Sequence, residues 1–176
     1  SNVPVKKQFI YEGQSYFFHN YYGEPFKNEK VAVNIEIANK SEHNLGIPLP
    51  KGILRMYKHD ADGSLQFIGE NSIQHTPKDE KINVTIGNAF DIVGERKQTQ
   101  WEKVSKNINE VAYEISLRNH KAEDIVVKVV EHPFADWKVL ESSHTYKRED
   151  SATLSFDVPV KKNKEAKLSY KLRIKY

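Results

Sequence analysis

Residues 167–176 read Lys167-Leu168-Ser169-Tyr170-Lys171-Leu172-Arg173-Ile174-Lys175-Tyr176, and their alternation decides the fold. Leu168, Tyr170, Leu172, Ile174 and Tyr176 fall on one side, and Lys167, Ser169, Lys171, Arg173 and Lys175 on the other. Successive side chains of a strand point to opposite faces, so the run reads as a strand with one buried face and one wet face. The same period recurs upstream. Val31, Val33, Ile35 and Ile37 alternate with smaller or polar residues, as do Val111, Tyr113, Ile115 and Leu117, and again Leu154, Phe156 and Val158. One solvated face per sheet is the mark of antiparallel pairing.

Turn signals separate these runs. Asp62-Gly63 sits between residues 53–59 and 65–69 and predicts a hairpin, because that pair accepts positive φ. Asn119-His120-Lys121 divides two strong strands, and residues 161–165 form a polar turn before the last one. Pro48 and Pro50 cannot donate to a ladder, so they mark an edge or a connector. Trp101, Val104, Ser105 and Ile108 fit a short helical face, but the neighbouring period of two favours a hairpin turning near Lys106-Asn107. Roughly ten strands at spacings of about 8–12 residues predict an all-β, antiparallel, immunoglobulin-like sandwich. Residues 109–176 alone suffice for one lobe. The first hundred or so either form a second packed lobe or extend the same sheets, and residues 98–109 are the expected boundary if there are two. The opening Ser1-Asn2 reads as a cloning remnant, so residues 1–176 are expected to be one all-β unit cut from a longer protein.

Composition removes several function classes. The chain has 176 residues, enough for one well-cored domain or two small lobes. A net charge of +3 is small for this length, which argues against a nucleic-acid partner. There is no cysteine, so a disulfide framework, a thiolate zinc site and a cysteine nucleophile are excluded. No apolar run is long enough to span a bilayer as a helix.

One group of motifs is specific enough to suggest kinship. It comprises Leu49-Pro50-Lys51-Gly52, Arg55-Met56-Tyr57, Gly69-Glu70, His75-Thr76-Pro77, Gly87 through Asp91, and Leu117-Arg118-Asn119-His120-Lys121, continued by Glu131 and Trp137. In this order the motifs resemble the bacterial domain of unknown function 4139, over residues 30–176. That family typically forms the C-terminal part of mucoidy-inhibitor-like and related envelope proteins. The resemblance implies an all-β, periplasmic or envelope-associated domain, and it carries no catalytic residues to transfer.

The candidate sites are weak when read from the residues. Lys58-His59-Asp60-Ala61-Asp62-Gly63 has the outline of a calcium loop, but a cation stands at its first position and no terminal Glu follows, so it reads as a turn. The seven histidines lack metal-ligand spacing; His75 with Glu70 and His132 with Glu131 are the first pairs to inspect. Glu70, Asp91, Glu114 and Glu131 would support glycoside hydrolysis only if two of them met across a cleft. No nucleophile elbow, P-loop or dinucleotide fingerprint is present. The most suggestive surface is the basic strip Lys167, Lys171, Arg173 and Lys175, which would attract an anionic polysaccharide, a lipid headgroup or an acidic partner; lysines on an exposed strand also discourage aggregation. Tyr21 and Tyr22, within the aromatic cluster of residues 16–26, and Trp101 would stack on sugar rings if they lined a groove. The sequons at Asn39 and Asn83 are weak signals.

The expectation is therefore a non-enzymatic interaction or structural module of a larger bacterial envelope protein, with no cofactor and no metal. Its partner would be a protein or an anionic or neutral polysaccharide. The alternative is a carbohydrate-binding or carbohydrate-active domain.

Overall fold

The structure, a computed structural model, describes residues 3–13, 21, 26–60, 62–133 and 135–176, with backbone alone for 26–29. Eleven strands follow one another: β1 (Val5–Glu12), β2 (Phe26–Ala38), β3 (Gly52–His59), β4 (Leu65–Ile73), β5 (Lys81–Ser105), β6 (Ile108–Asn119), β7 (Ile125–Glu131), β8 (Asp136–Ser142), β9 (Tyr146–Arg148), β10 (Leu154–Val160) and β11 (Lys164–Lys175). A 3₁₀ turn, Ser41–His43, follows β2. No helix among the described residues is long and apolar enough to cross a membrane. Nine strands hydrogen-bond in the order β8-β11-β6-β5-β2-β1-β7-β10-β9, and β3 and β4 form a separate two-stranded sheet. The all-β expectation holds. The large sheet is mixed rather than purely antiparallel, because β1 runs parallel to β7, with Phe9 opposite Val127 and Tyr11 opposite Val129.

The chain divides into two compact units. The first comprises Ser1–Gln8 and Ala32–Asn88, and the second Phe9–Val31 and Ala89–Tyr176. Residues 98–109 lie within the second unit, where they are the β5–β6 hairpin. Its turn is at Lys106-Asn107, with Ser105 opposite Ile108.

In the second unit, alternation becomes packing. Val111, Tyr113, Ile115 and Leu117 of β6, and Leu168, Tyr170, Leu172 and Ile174 of β11, are all buried. The pair is in register along its whole length, from Lys164 opposite Asn119 to Lys175 opposite Ile108. Strands β10 and β11 are far apart in the strand order, yet the Phe156 and Tyr170 rings lie 5.2 Å apart. The inner faces of the two halves therefore meet across one core, which makes this unit a sandwich. Each fully buried aliphatic or aromatic side chain there contributes ~1.5–3 kcal/mol. Trp137 anchors β8 by donating Nε1–H to the Ser151 carbonyl at 2.7 Å, with the Arg148 guanidinium 4.2 Å from its ring.

The first unit has a smaller core, centred on Val33, Ile82 and Val84. Its connections are held by Asn39, which is fully buried. The Asn39 side-chain amide donates to the Ile47 and Pro77 carbonyls at 2.8 Å each, and its oxygen accepts from the Gly46 N–H at 2.9 Å. A side chain so committed is no acceptor for glycosylation in the folded state. The β3–β4 hairpin turns as predicted: Gly63 has φ +84°, and Ser64 N–H donates to Asp62 Oδ1 at 2.8 Å. Gln66 donates to Asp60 Oδ2 at 2.7 Å, so both carboxylates serve the turn.

Candidate functional site

The basic strip is real as geometry, and its cations outnumber the carboxylates they meet. Lys167, Lys171 and Arg173 point outward from β11 and meet the outward carboxylates of β6. Lys167 lies 3.0 Å from Glu114, Lys171 lies 2.7 Å from Glu110 Oε2, and Arg173 donates to the other oxygen, Oε1, through Nε at 3.0 Å and Nη2 at 2.6 Å. Hydrogen bonds from Lys171 and Arg173 hold the Glu110 carboxyl below the usual range. The cross-strand register dictates these pairs, because Arg173 stands opposite Glu110 and Lys171 opposite Ala112. Lys175 is exposed at the end of the strand. Lys167, Lys171 and Arg173 thus share two carboxylates, which neutralise the strip only in part. A shallow polar depression beside it is lined by Thr99, Gln100, Glu141, Ser142 and Ser169.

Of the aromatic residues expected at the surface, Trp101 is not on that face. Trp101 stands opposite Val111, which points into the core, so Trp101 belongs to the inward side of β5. Tyr21 is exposed, and Tyr22 lies outside the described residues. The structure therefore does not bring Trp101 together with Lys167, Lys171 and Arg173.

Sequence reasoning missed a buried polar centre in the second unit. Arg96 of β5 and Glu131 of β7 are both almost fully buried and form two parallel bonds, Nε to Oε1 and Nη2 to Oε2, at 3.0 Å each. The Arg96 guanidinium also stacks 3.7 Å from the Tyr113 ring centroid. Burial opposes the Arg96 charge, but the charge and hydrogen bonds of Glu131, together with Tyr170 and Tyr113, raise its pKa. Burial pushes the Tyr113 phenol up to about 12 and Tyr170 well above its ordinary value. Gly13 and Gly94 make room for this centre. A Cβ at Gly13 would overlap the Glu131 carboxylate, and one at Gly94 would overlap the Tyr11 ring. The centre is enclosed on all sides, and a bidentate Arg–carboxylate pair suits an enclosed position. A signal did exist in the sequence: Arg96 shares the phase of Ile92 and Gln98, which are buried.

The carboxylates singled out earlier are each committed to a separate cation: Glu70 to Arg55 at 3.1 Å, Asp91 to Lys121 at 2.6 Å, Glu114 to Lys167 and Glu131 to Arg96. Neither histidine pair assembles. His75 Nδ1 accepts from the Lys51 N–H at 3.3 Å, and His132 lies 3.0 Å from Glu12. No group of three His, Cys, Asp or Glu suited to a metal ion occurs among the described residues.

The remaining surface feature is the β3–β4 hairpin of the first unit. Its inner face carries Leu54, Met56, Gly69 and Asn71, all half-buried. A Cβ at Gly69 would lie 3.4 Å from the Ile86 carbonyl oxygen, so this face packs on β5. The outer face is also apolar. Ile53 is 63% exposed, Tyr57 53%, Leu65 61% and Phe67 55%. The Tyr57 and Phe67 rings meet edge to face at 5.6 Å, and the Arg55–Glu70 pair lies between them and Ile53.

Comparison with protein-family models gives no match, and comparison with curated proteins gives none of significance. The resemblance to the domain of unknown function 4139 stands on its motif residues alone. In the structure those residues join one another in pairs. Leu49 bridges Thr76, Lys51 bonds His75, Arg55 bonds Glu70, and Asp91 bonds Lys121. Their chemistry in this chain is that of turns and strand registers.

Proposed function

We propose that this chain is a non-catalytic interaction module of a larger bacterial envelope protein. The observation that supports an interaction role is the outer face of the β3–β4 hairpin, where four large apolar side chains meet water on an isolated two-stranded sheet. Such hairpins are marginal alone, and a cluster of exposed apolar side chains with a paired aromatic centre suits a contact with another macromolecule. The carboxylates each serve an ion pair, which fits a scaffold more readily than a reaction centre. The envelope setting rests on the motif resemblance.

The test is thermal unfolding of the chain against anionic and neutral polysaccharides at low and high salt. A saccharide at a hundred times its dissociation constant would add about 2.7 kcal/mol. The expected result is no shift with any of them. A shift that survives salt would replace this reading with a carbohydrate-binding one.

A further inference from the structure

The hairpin face is complementary to itself. Cross-strand pairing places Ile53 opposite Ser72, Arg55 opposite Glu70, Tyr57 opposite Phe67 and His59 opposite Leu65 on the outer face, with Ile68 as the bulge residue of β4. The first and third of these pairs flank a single ion pair, whose side chains are 60% and 49% exposed. Two copies can stack these faces about a two-fold axis in either of two orientations. If the axis runs across the strands, Arg55 falls on Arg55 and Glu70 on Glu70, which is repulsive. If it runs along the strands, β3 of one copy covers β4 of the other at the same height. Arg55 then lies over Glu70 of the second copy and Glu70 over its Arg55, while Tyr57 and Phe67 cover each other. The second arrangement satisfies the charges twice and closes four aromatic rings into one cluster. Isologous contacts of this kind are self-complementary by construction, and aligned face-to-face packing is the normal geometry of stacked sheets.

We infer that the occupant of this face is a second copy of this chain, stacked hairpin on hairpin about a two-fold axis along β3 and β4. This deepens the interaction-module reading and rests on it. The contact area is limited to one hairpin per copy, so the association belongs with small, weak interfaces.

The test is sedimentation velocity of the full chain from micromolar to near-millimolar concentration, for the wild type, R55E, E70R, R55E/E70R and an equimolar mixture of the two single variants. Thermal unfolding of each controls for folding. The wild type should show a monomer–dimer equilibrium. Each single reversal places like charges together and should weaken it by at least about tenfold. The double reversal should restore it, and the mixture should form heterodimers, which locally unfolded hairpins would not do. A wild type that stays monomeric throughout overturns the inference and leaves the face to a partner of another kind, with the interaction-module reading intact. Dimers indifferent to R55E and E70R overturn it too, as does a mixture that stays monomeric.

Discussion

Glu131 and Arg96 show at the scale of single residues how a charge survives inside an apolar sandwich. Each satisfies the other in two parallel bonds, so removing one leaves the other buried and uncompensated. Glu131→Gln should therefore cost ~3–5 kcal/mol in urea unfolding. The double change Arg96→Met/Glu131→Leu should cost less than Glu131→Gln alone, because it removes both desolvation penalties. A double variant less stable than the single one would show that the pair contributes more than mutual neutralisation. Tyr11 offers the converse case. Its hydroxyl is buried with no hydrogen-bond partner among the described residues. Tyr11→Phe should leave stability unchanged or raise it by ~1 kcal/mol in the same assay. A loss would mean that the hydroxyl is satisfied in solution.

Elements in the first unit depend on Asn39. Its side chain ties residues 46–47 to Pro77, and its backbone N–H and carbonyl bond Glu80 and Asp79. Asn39→Ala removes three side-chain bonds and strands two carbonyls, at a cost of ~2–3 kcal/mol. Hydrogen exchange should locate the loss in residues 44–48 and 76–80, with β6 and β11 still protected. Uniform loss of protection would contradict the assignment of Asn39 to one unit. At this scale the sequence was legible wherever one face was apolar and the other polar. Strands β2, β6, β10 and β11, the Asp62-Gly63 turn and the Lys106-Asn107 turn were all readable from residues close together. The parallel β1–β7 pair was not, because alternation says which face is buried and not which strand is the neighbour. The hairpin's orientation was also hidden: Ile53 and Tyr57 alternate with Leu54 and Met56, so period two could not choose the outer face. The basic strip is legible as a face, while the carboxylates that partly neutralise it lie on β6, 53 to 63 residues away.

Across the whole molecule, stability should fall at both ends of the pH range. Glu110 is held below the ordinary carboxylate value by hydrogen bonds from Lys171 and Arg173, and Glu149 by those from Lys128 and Ser155. Their contribution is present above an unfolded pKa of about 4.3 and is lost as pH drops through the folded values. The tyrosines act in the opposite sense. Burial raises Tyr113 to about 12, and Tyr170 also lies above its ordinary value. The folded state holds these protons more tightly, so their contribution is full below an unfolded pKa of about 10 and lost as pH rises beyond it. Urea midpoints against pH should show both limbs, and Tyr113→Phe should flatten the alkaline one. An alkaline limb unchanged by Tyr113→Phe would remove this tyrosine from the account.

The outer face of the β3–β4 hairpin is proposed as the contact between two copies of this chain. The most direct measurement is sedimentation velocity of the wild type beside Tyr57→Ser/Phe67→Ser over the same concentration series. The wild type should associate with rising concentration, while the variant should stay monomeric and keep its thermal midpoint. Identical sedimentation of the two would rule out self-association through this face.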